Sequence, residues 1–282
     1  MNTLKVWLLM GVLTILLVMM GSALGGRSGA MMFFLIALAM NFFGYYFSDK
    51  IAIKMTKSYP VSQSEAPELY EMIGRLSQRA GMPMPKLYVT PSDQPNAFAT
   101  GRNPANSAVA VTEGIMRLLN KSEVEGVMAH ELAHIKNRDV LVGTIAATFA
   151  GAISMIGNML QWGAIFGMGR GDDEEEGGAG IVGVIIMAIV FPIAAMIVQM
   201  AISRSREYGA DATGAQIAGS TSGLANALLK LESAAQHIPM QVNPAASHMF
   251  IVNPLSGATL ARLFSTHPPI QERVEKLRGM RI

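Results

Sequence analysis

The sequence contains no cysteine. That excludes disulfides, thiolate-held zinc or iron–sulfur centres and a cysteine nucleophile, so any metal has to be held by histidine, aspartate or glutamate. Charge is also scarce: 15% of the 282 residues are Asp, Glu, Lys or Arg, the net charge is +2, and no dense basic cluster stands beside interleaved aromatics. Nothing here resembles an electrostatic footprint for nucleic acid. The chain also lacks a G-x-S-x-G nucleophile elbow and a G-x-x-x-x-G-K-[ST] phosphate loop.

What the chain has in excess is apolar surface. Hydrophobic residues make up 51% of it and the mean hydropathy is +0.34, too apolar for an ordinary soluble domain. Its 22 methionines are scattered through the apolar runs, which suits lipid-facing, adaptable surfaces better than a soft-metal site.

Four runs approach or exceed the length of a membrane span: Val6 to Leu24, Ala30 to Phe47, Val140 to Phe166 and Ile181 to Ile202. The first two are separated only by Gly25-Gly26-Arg27-Ser28-Gly29, so two spanning helices there form an antiparallel hairpin. The alternative for the first run is a cleaved signal peptide. Its long apolar core and the second run that follows at once favour a span. Thr144, Thr148, Ser154, Asn158 and Gln161 dilute the third run, which leaves a re-entrant segment open, and Pro192 kinks the fourth. The acidic, glycine-rich stretch from Gly169 to Glu176 reads as a solvated loop, because its spacing is not that of a calcium loop. Gly21 with Gly25, and Gly163 with Gly167, have spacings that let helices approach closely. With four spans, Lys5, Lys50, Lys54, Lys57, Arg204 and Arg206 fall on one side and Arg27 and Arg170 on the other, which turns the polar segments to the cytoplasm.

The predicted organisation is a transmembrane hairpin (1–47), a first polar segment (48–139), a second hairpin (140–202) and a second polar segment (203–282), the two polar segments packing into one lobe. Leu69, Met72, Ile73 and Leu76 mark an amphipathic helix after Pro67 that ends near Gly81. Lys86 to Val89, Ala97 to Thr100 and Ala108 to Thr112 read as a small sheet. The fold class is therefore a mainly α membrane protein with four transmembrane helices and an α+β cytoplasmic lobe.

Ser122-Glu123-Val124-Glu125 reads as a capping box that starts a helix carrying His130-Glu131-Leu132-Ala133-His134. Two histidines four apart share one helix face and can converge on one ion, with Glu131 one step around, which is the arrangement zinc hydrolysis needs. Zinc lowers the pKa of its water to about 7 and the neighbouring carboxylate takes the proton. Two surface histidines on an ordinary helix would be the plainer explanation, so a third ligand decides between them. Glu207 fits, in Glu207-Tyr208-Gly209-Ala210-Asp211 just past the fourth run, because two crossings return the chain to the side of His134. Asp211, four residues on, is placed to receive the outer N–H of a ligand histidine. It could equally be a surface carboxylate. The rival ligands are less apt. His237 ends a helix marked by Leu224, Leu228 and Leu231 and suits the helix dipole; Asp139 is expected to cap or pair with nearby charge. His248 and His267 lie in loops. His267, in Ser265-Thr266-His267-Pro268-Pro269, either braces its loop or hydrogen-bonds a developing oxyanion. For an extended substrate, Asn96-Ala97-Phe98-Ala99 is the candidate edge strand.

The His130 to His134 motif, the Glu207 to Asp211 segment beyond a hairpin, and Ser265 to Pro269 together resemble the HtpX family of bacterial membrane-bound zinc metalloproteases, relatives of the CAAX prenyl endopeptidases. The resemblance covers nearly the whole chain, including the order of its apolar runs. It implies a gluzincin-like protease domain on the cytoplasmic face of a bacterial inner membrane. One zinc per chain is then held by His130, His134 and Glu207, with Glu131 catalytic. It further implies protein substrates, namely misfolded or damaged membrane proteins cleared during envelope or heat stress.

Three alternatives compete. An intramembrane protease would put the zinc helix in lipid, where Glu123, Glu125, Lys136, Asn137, Arg138 and Asp139 are costly. A prenyl-protein endopeptidase has more spans than four. A non-catalytic zinc-stabilised membrane chaperone or adaptor has no use for Glu131, and a transporter would keep ionisable groups inside its spans.

Overall fold

The computed structural model describes residues 2–143, 205–238, 240, 249–252 and 268–282. The third and fourth apolar runs, apart from residues 140–143, lie outside the described residues, as do His248 and His267.

Helix α1 (Asn2–Tyr46) is a hairpin. It breaks at Gly25 and Gly26, and Gly26 has φ 55° and ψ −139°, a conformation that residues with a Cβ avoid. The arms run antiparallel. Trp7 stacks on Tyr45 with centroids 6.1 Å apart, and Asn41 Nδ2 donates to Thr14 Oγ1 at 2.9 Å. Near the turn the close approach is made by Gly21 and Gly29, not by Gly21 and Gly25: a Cβ on Gly21 would sit 2.5 Å from the Gly29 carbonyl oxygen, whereas one on Gly25 would meet nothing.

Among the described residues one helix, Gly25–Tyr46, is long and apolar enough to cross a membrane. Its 22 residues span about 33 Å against a hydrocarbon core of about 30 Å. The apolar part of the first arm, Val6–Ser22, is shorter. Fifteen of the twenty large apolar side chains exposed among the described residues lie on this hairpin, Leu8, Ile15, Met31 and Leu38 among them. So concentrated an apolar surface calls for lipid rather than water. At the end next to the lobe, Trp7, Phe42, Phe43, Tyr45, Tyr46 and Phe47 gather in ring-to-ring contacts, as aromatic residues do at a membrane interface.

The lobe begins at α2 (Ser48–Met55) and continues through β1 (Tyr59–Pro60), α3 (Pro67–Ala80), β2 (Lys86–Thr90), β3 (Ala97–Asn103), β4 (Asn106–Thr112), α4 (Glu113–Leu118) and α5 (Lys121–Asn137). Helix α3 has proline in its first turn and stops at Gly81, whose φ of 67° ends it in the left-handed region. The strand order is β1-β2-β4-β3, with β2 and β4 parallel and the other two pairings antiparallel. Strand β1, two residues long, carries no periodicity and escapes a reading of the sequence. Both faces of the sheet are covered. Ala97, Ala99, Val109 and Val111 face the main core with α3 and α5, while Phe98 and Ala110 pack with Ala52, Met240 and Phe250. This explains why β3 and β4 read as continuous apolar runs rather than alternating ones.

Beyond residue 204 come α6 (205–218), α7 (Ser222–His237) and α8 (Ile270–Gly279). Helix α5 is the axis of the lobe, packed by α3, β3 and α7. Gly126 and Gly223 allow the α5–α7 contact: a Cβ on Gly126 would lie 2.4 Å from the Leu224 nitrogen. The two polar segments thus share one core, which contains Ile73, Leu76, Val127, Leu132, Ala210, Leu228 and Leu277.

Candidate metal centre and active site

The α5 cap differs from the expected one. Asn120, not Ser122, is the N-cap: its side chain accepts the Glu123 N–H at 3.0 Å, and the Glu123 carboxylate accepts the Asn120 N–H at 2.9 Å. Ser122 only donates to Asn120 Oδ1, at 2.8 Å. Asn is as good a cap as Ser, and here Asn120 makes both reciprocal bonds of the box.

From this start, His130 and His134 come to one face of α5, with Nε2 atoms 3.1 Å apart. Helix α6 delivers Glu207 to the same point. Its Oε2 lies 3.7 Å from His130 Nε2 and its Oε1 3.4 Å from His134 Nε2. Gly214 permits the approach, since a Cβ there would stand 2.9 Å from the His130 Cα. Three donors at metal distances of about 2.0–2.1 Å in a tetrahedron are about 3.3 Å apart. The two Glu207 contacts involve different carboxylate oxygens, and one ligand atom from each of the three residues lies within 4.8 Å of the others, so this donor set could hold a metal cation.

The outer nitrogens agree with that fit. His130 Nδ1 is 3.0 Å from Asp211 Oδ1, and His134 Nδ1 is 3.4 Å from Asp139 Oδ2. A carboxylate beside each Nδ1 favours the Nδ1–H tautomer and leaves each Nε2 lone pair directed inward. Asp139, expected to cap or pair with nearby charge, lies against the His134 imidazole.

Arg273, on α8, is the residue that the sequence reading missed. It is fully buried, and donates from Nε and Nη2 to the two Asp211 oxygens at 2.9 and 2.7 Å. Its Nη1 lies 3.1 Å from Glu207 Oε2 and its Nη2 3.3 Å from His130 Nε2. Tyr208 and Lys276 fasten the two helices from outside: the Tyr208 hydroxyl donates to Glu272 at 2.8 Å, and the Lys276 ammonium sits 3.3 Å from the Tyr208 ring centre. One signal was visible. Ile270, Val274 and Leu277 form an apolar stripe, and Arg273 occupies a position on it.

The charges are strongly coupled. Burial opposes a proton on His134, but the Glu207 charge, the Asp139 contact and the Glu131 charge outweigh it and push its pKa up to about 10. Burial likewise disfavours ionised Asp211, yet Arg273 and His130 hold it below the ordinary carboxylate range. Glu131 is 2% exposed, and burial raises its pKa against the pull of His130 and His134. The pocket thus collects carboxylates around two imidazoles, an arrangement suited to a divalent cation.

The other predicted residues fall elsewhere. His237 is exposed at the end of α7, with Nδ1 2.8 Å from the Ser233 carbonyl oxygen, as a helix-terminal histidine should be. Asn96 to Ala99 does enter an edge strand, β3, but part of that edge is taken. The Ile251 N–H donates to the Ala97 carbonyl at 3.0 Å, and Asn96 Nδ2 donates to the Val252 carbonyl at 2.7 Å. Antiparallel alternation leaves Ala99 as the next residue with its backbone turned outward.

Residues 63–281 match the sequence profile of Peptidase family M48. The chain belongs to that family. Among its relatives, a protein named Protease HtpX homolog from Pelotomaculum thermopropionicum is 70% identical over 282 residues, covering 100% of both chains. A protein of the same name from Desulfatibacillum aliphaticivorans is 54% identical over 280 residues, covering 99% of this chain and 90% of that one. The crystal structure of S. mikatae Ste24p superposes with a TM-score of 0.50 at 20% identity, over 97% of this M48 peptidase and 66% of that chain, a likeness of fold alone. The chain is thus a metalloprotease of the HtpX type, with an apolar hairpin suited to a membrane.

Proposed function

We propose that this M48 peptidase is a membrane-anchored zinc endopeptidase whose metal is held by His130, His134 and Glu207 and whose general base is Glu131. The observation that supports it most is that His130, His134 and Glu207, on two helices far apart in sequence, bring one ligand atom each within 4.8 Å of the others. Bound there, zinc supplies Lewis-acid polarisation of the peptide carbonyl and acidification of the attacking water. Glu131 accepts that water's proton on its carboxylate as the new C–O bond forms, then returns it to the amide nitrogen as the C–N bond breaks. Asp211 and Asp139 hold the imidazoles in register, and Arg273 fixes the Glu207 and Asp211 carboxylates. The substrate lies extended along the outward backbone of Ala99, beyond the stretch that Ile251 covers. His267 serves as an auxiliary donor to the developing oxyanion.

Four membrane spans in two hairpins keep both halves of the lobe on one face of the bilayer. Lys50, Lys54 and Lys57 follow the first hairpin while Arg27 sits at its turn, which orients the lobe to the cytoplasm of a bacterial inner membrane. Misfolded or damaged membrane proteins are the substrates, a reading supported by likeness to the HtpX proteins. Glu131→Gln tests the chemistry. Full-length protein with this change should keep one zinc per chain yet lose cleavage of an unfolded membrane protein by about 100-fold or more. Cleavage at the wild-type rate with zinc retained would refute the role of Glu131.

A further inference from the structure

A cavity lies away from the metal centre, where the hairpin meets the lobe. Its volume is about 350 Å³, within the range of small-ligand sites. Val6, Trp7 and Tyr45 form the wall from the hairpin, and Leu141, Arg102 and Arg138 line it from the lobe. None of the lining residues is acidic. Two arginines therefore line a cavity that has an apolar and aromatic wall at the level of the aromatic belt, which is where lipid phosphates reside.

The arginines are placed rather than merely near. Arg102 donates from Nη1 to the Tyr46 carbonyl at 3.1 Å and rests 5.4 Å from the Tyr46 ring centre. This fixes its plane and leaves further N–H donors for an acceptor. Arg138 ends α5 with φ 58° and ψ 33°, a backbone state in which glycine is usual. An arginine there is held against backbone preference, four residues beyond His134.

We propose that this cavity binds the phosphate headgroup of an anionic phospholipid, with the two guanidinium groups on the phosphate oxygens and Val6, Trp7 and Leu141 against the glycerol and upper acyl chain. A forked guanidinium matches phosphate geometry, and two of them favour a lipid of net negative charge. A soluble phosphate would have no use for the apolar wall. The inference rests on the hairpin lying in a bilayer and not on the peptidase chemistry, so it is tested in the Glu131→Gln protein as well as the active one.

Trp7 reports on the site, because it is one of two tryptophans and Trp162→Phe leaves it alone. Full-length protein in nonionic detergent is titrated with dioctanoyl phosphatidylglycerol, with dioctanoyl phosphatidylcholine, with dioctanoylglycerol and with inorganic phosphate. The phosphatidylglycerol titration should saturate and bind more tightly than phosphatidylcholine. Arg138→Gln should weaken it about tenfold, the loss of one charge-assisted hydrogen bond, and Arg138→Lys, which keeps the charge but not the fork, should fall between the two. Arg102→Gln should act alike; because it also cuts the Tyr46 tether, the exposed Arg138 carries the test if that variant does not fold. An unchanged titration in Arg138→Gln would overturn the proposal. So would dioctanoylglycerol binding as tightly as phosphatidylglycerol, or inorganic phosphate displacing the lipid at equal concentration.

Discussion

Asp211 and Arg273 form a buried charged pair whose energetics can be separated from those of the metal. In chelated protein, Asp211→Asn removes the anion that takes both the 2.7 and 2.9 Å bonds, leaving the fully buried Arg273 the Glu207 carboxylate at 3.1 Å and longer contacts to His130 Nε2 at 3.3 Å and the Ile251 carbonyl at 3.4 Å. Breaking one side of a buried pair costs about 3–5 kcal/mol, and this variant should lose about that much unfolding free energy. Arg273→Met leaves Asp211 and Glu207 facing each other without a cation and should lose a similar amount. The double variant removes both charges. The amide introduced by Asp211→Asn can still accept from His130, and the thioether chain introduced by Arg273→Met fills the volume on the apolar side of α8, so the double variant should be no less stable than the worse single one. The implied coupling is about 3 kcal/mol. Urea unfolding of full-length protein in nonionic detergent, followed by near-ultraviolet circular dichroism, measures all four corners of the cycle. If the double variant loses the sum of the two single losses, the pair is not coupled and Arg273 does not hold Asp211 in the way the distances indicate.

Zinc loading should release protons. In chelated protein the carboxylates hold His134 at a pKa of about 10, so it is protonated at neutral pH, and metal must displace that proton. Affinity should rise with pH through the neutral range, and calorimetry in buffers of different ionisation enthalpy should count about one proton or more released; affinity independent of pH would contradict this. Gly214→Ala should push α6 off α5, because the new Cβ would lie 2.9 Å from the His130 Cα. We expect about 1–3 kcal/mol of destabilisation and a clear loss of zinc affinity, read by metal competition with a chromogenic chelator. Full zinc affinity in this variant would show that the helix contact does not set the ligand geometry.

The histidine pair, the pairing of Glu207 with Asp211 on one helix and the first hairpin are legible in the sequence because each is written in local spacing, whereas bringing Glu207 to the histidines takes the long-range argument of paired crossings. Residues four apart share a helix face, and two apolar runs joined by five residues must fold back. Arg273 is not, since one arginine on an apolar stripe becomes informative only when its carboxylate partners, on another helix, are known. Asp139 reads as a charge pair without its partner, because only the last turn of α5 and the position of His134 select one. Asn120 and Ser122 both match the same box pattern, and hydrogen-bond geometry chooses between them. The covering of β3 by Ile251 is a long-range backbone contact, and backbone contacts leave no trace in side-chain pattern.

Zinc K-edge absorption on the full-length protein, with the Glu207→Ala variant beside it, tests the central claim most directly. Two imidazole nitrogens and oxygen neighbours at about 2.0–2.1 Å should appear in the native protein, and zinc retention should collapse in Glu207→Ala. A third imidazole in the native shell, or an unchanged spectrum and zinc content in the variant, would contradict the assignment of His130, His134 and Glu207 as the ligands.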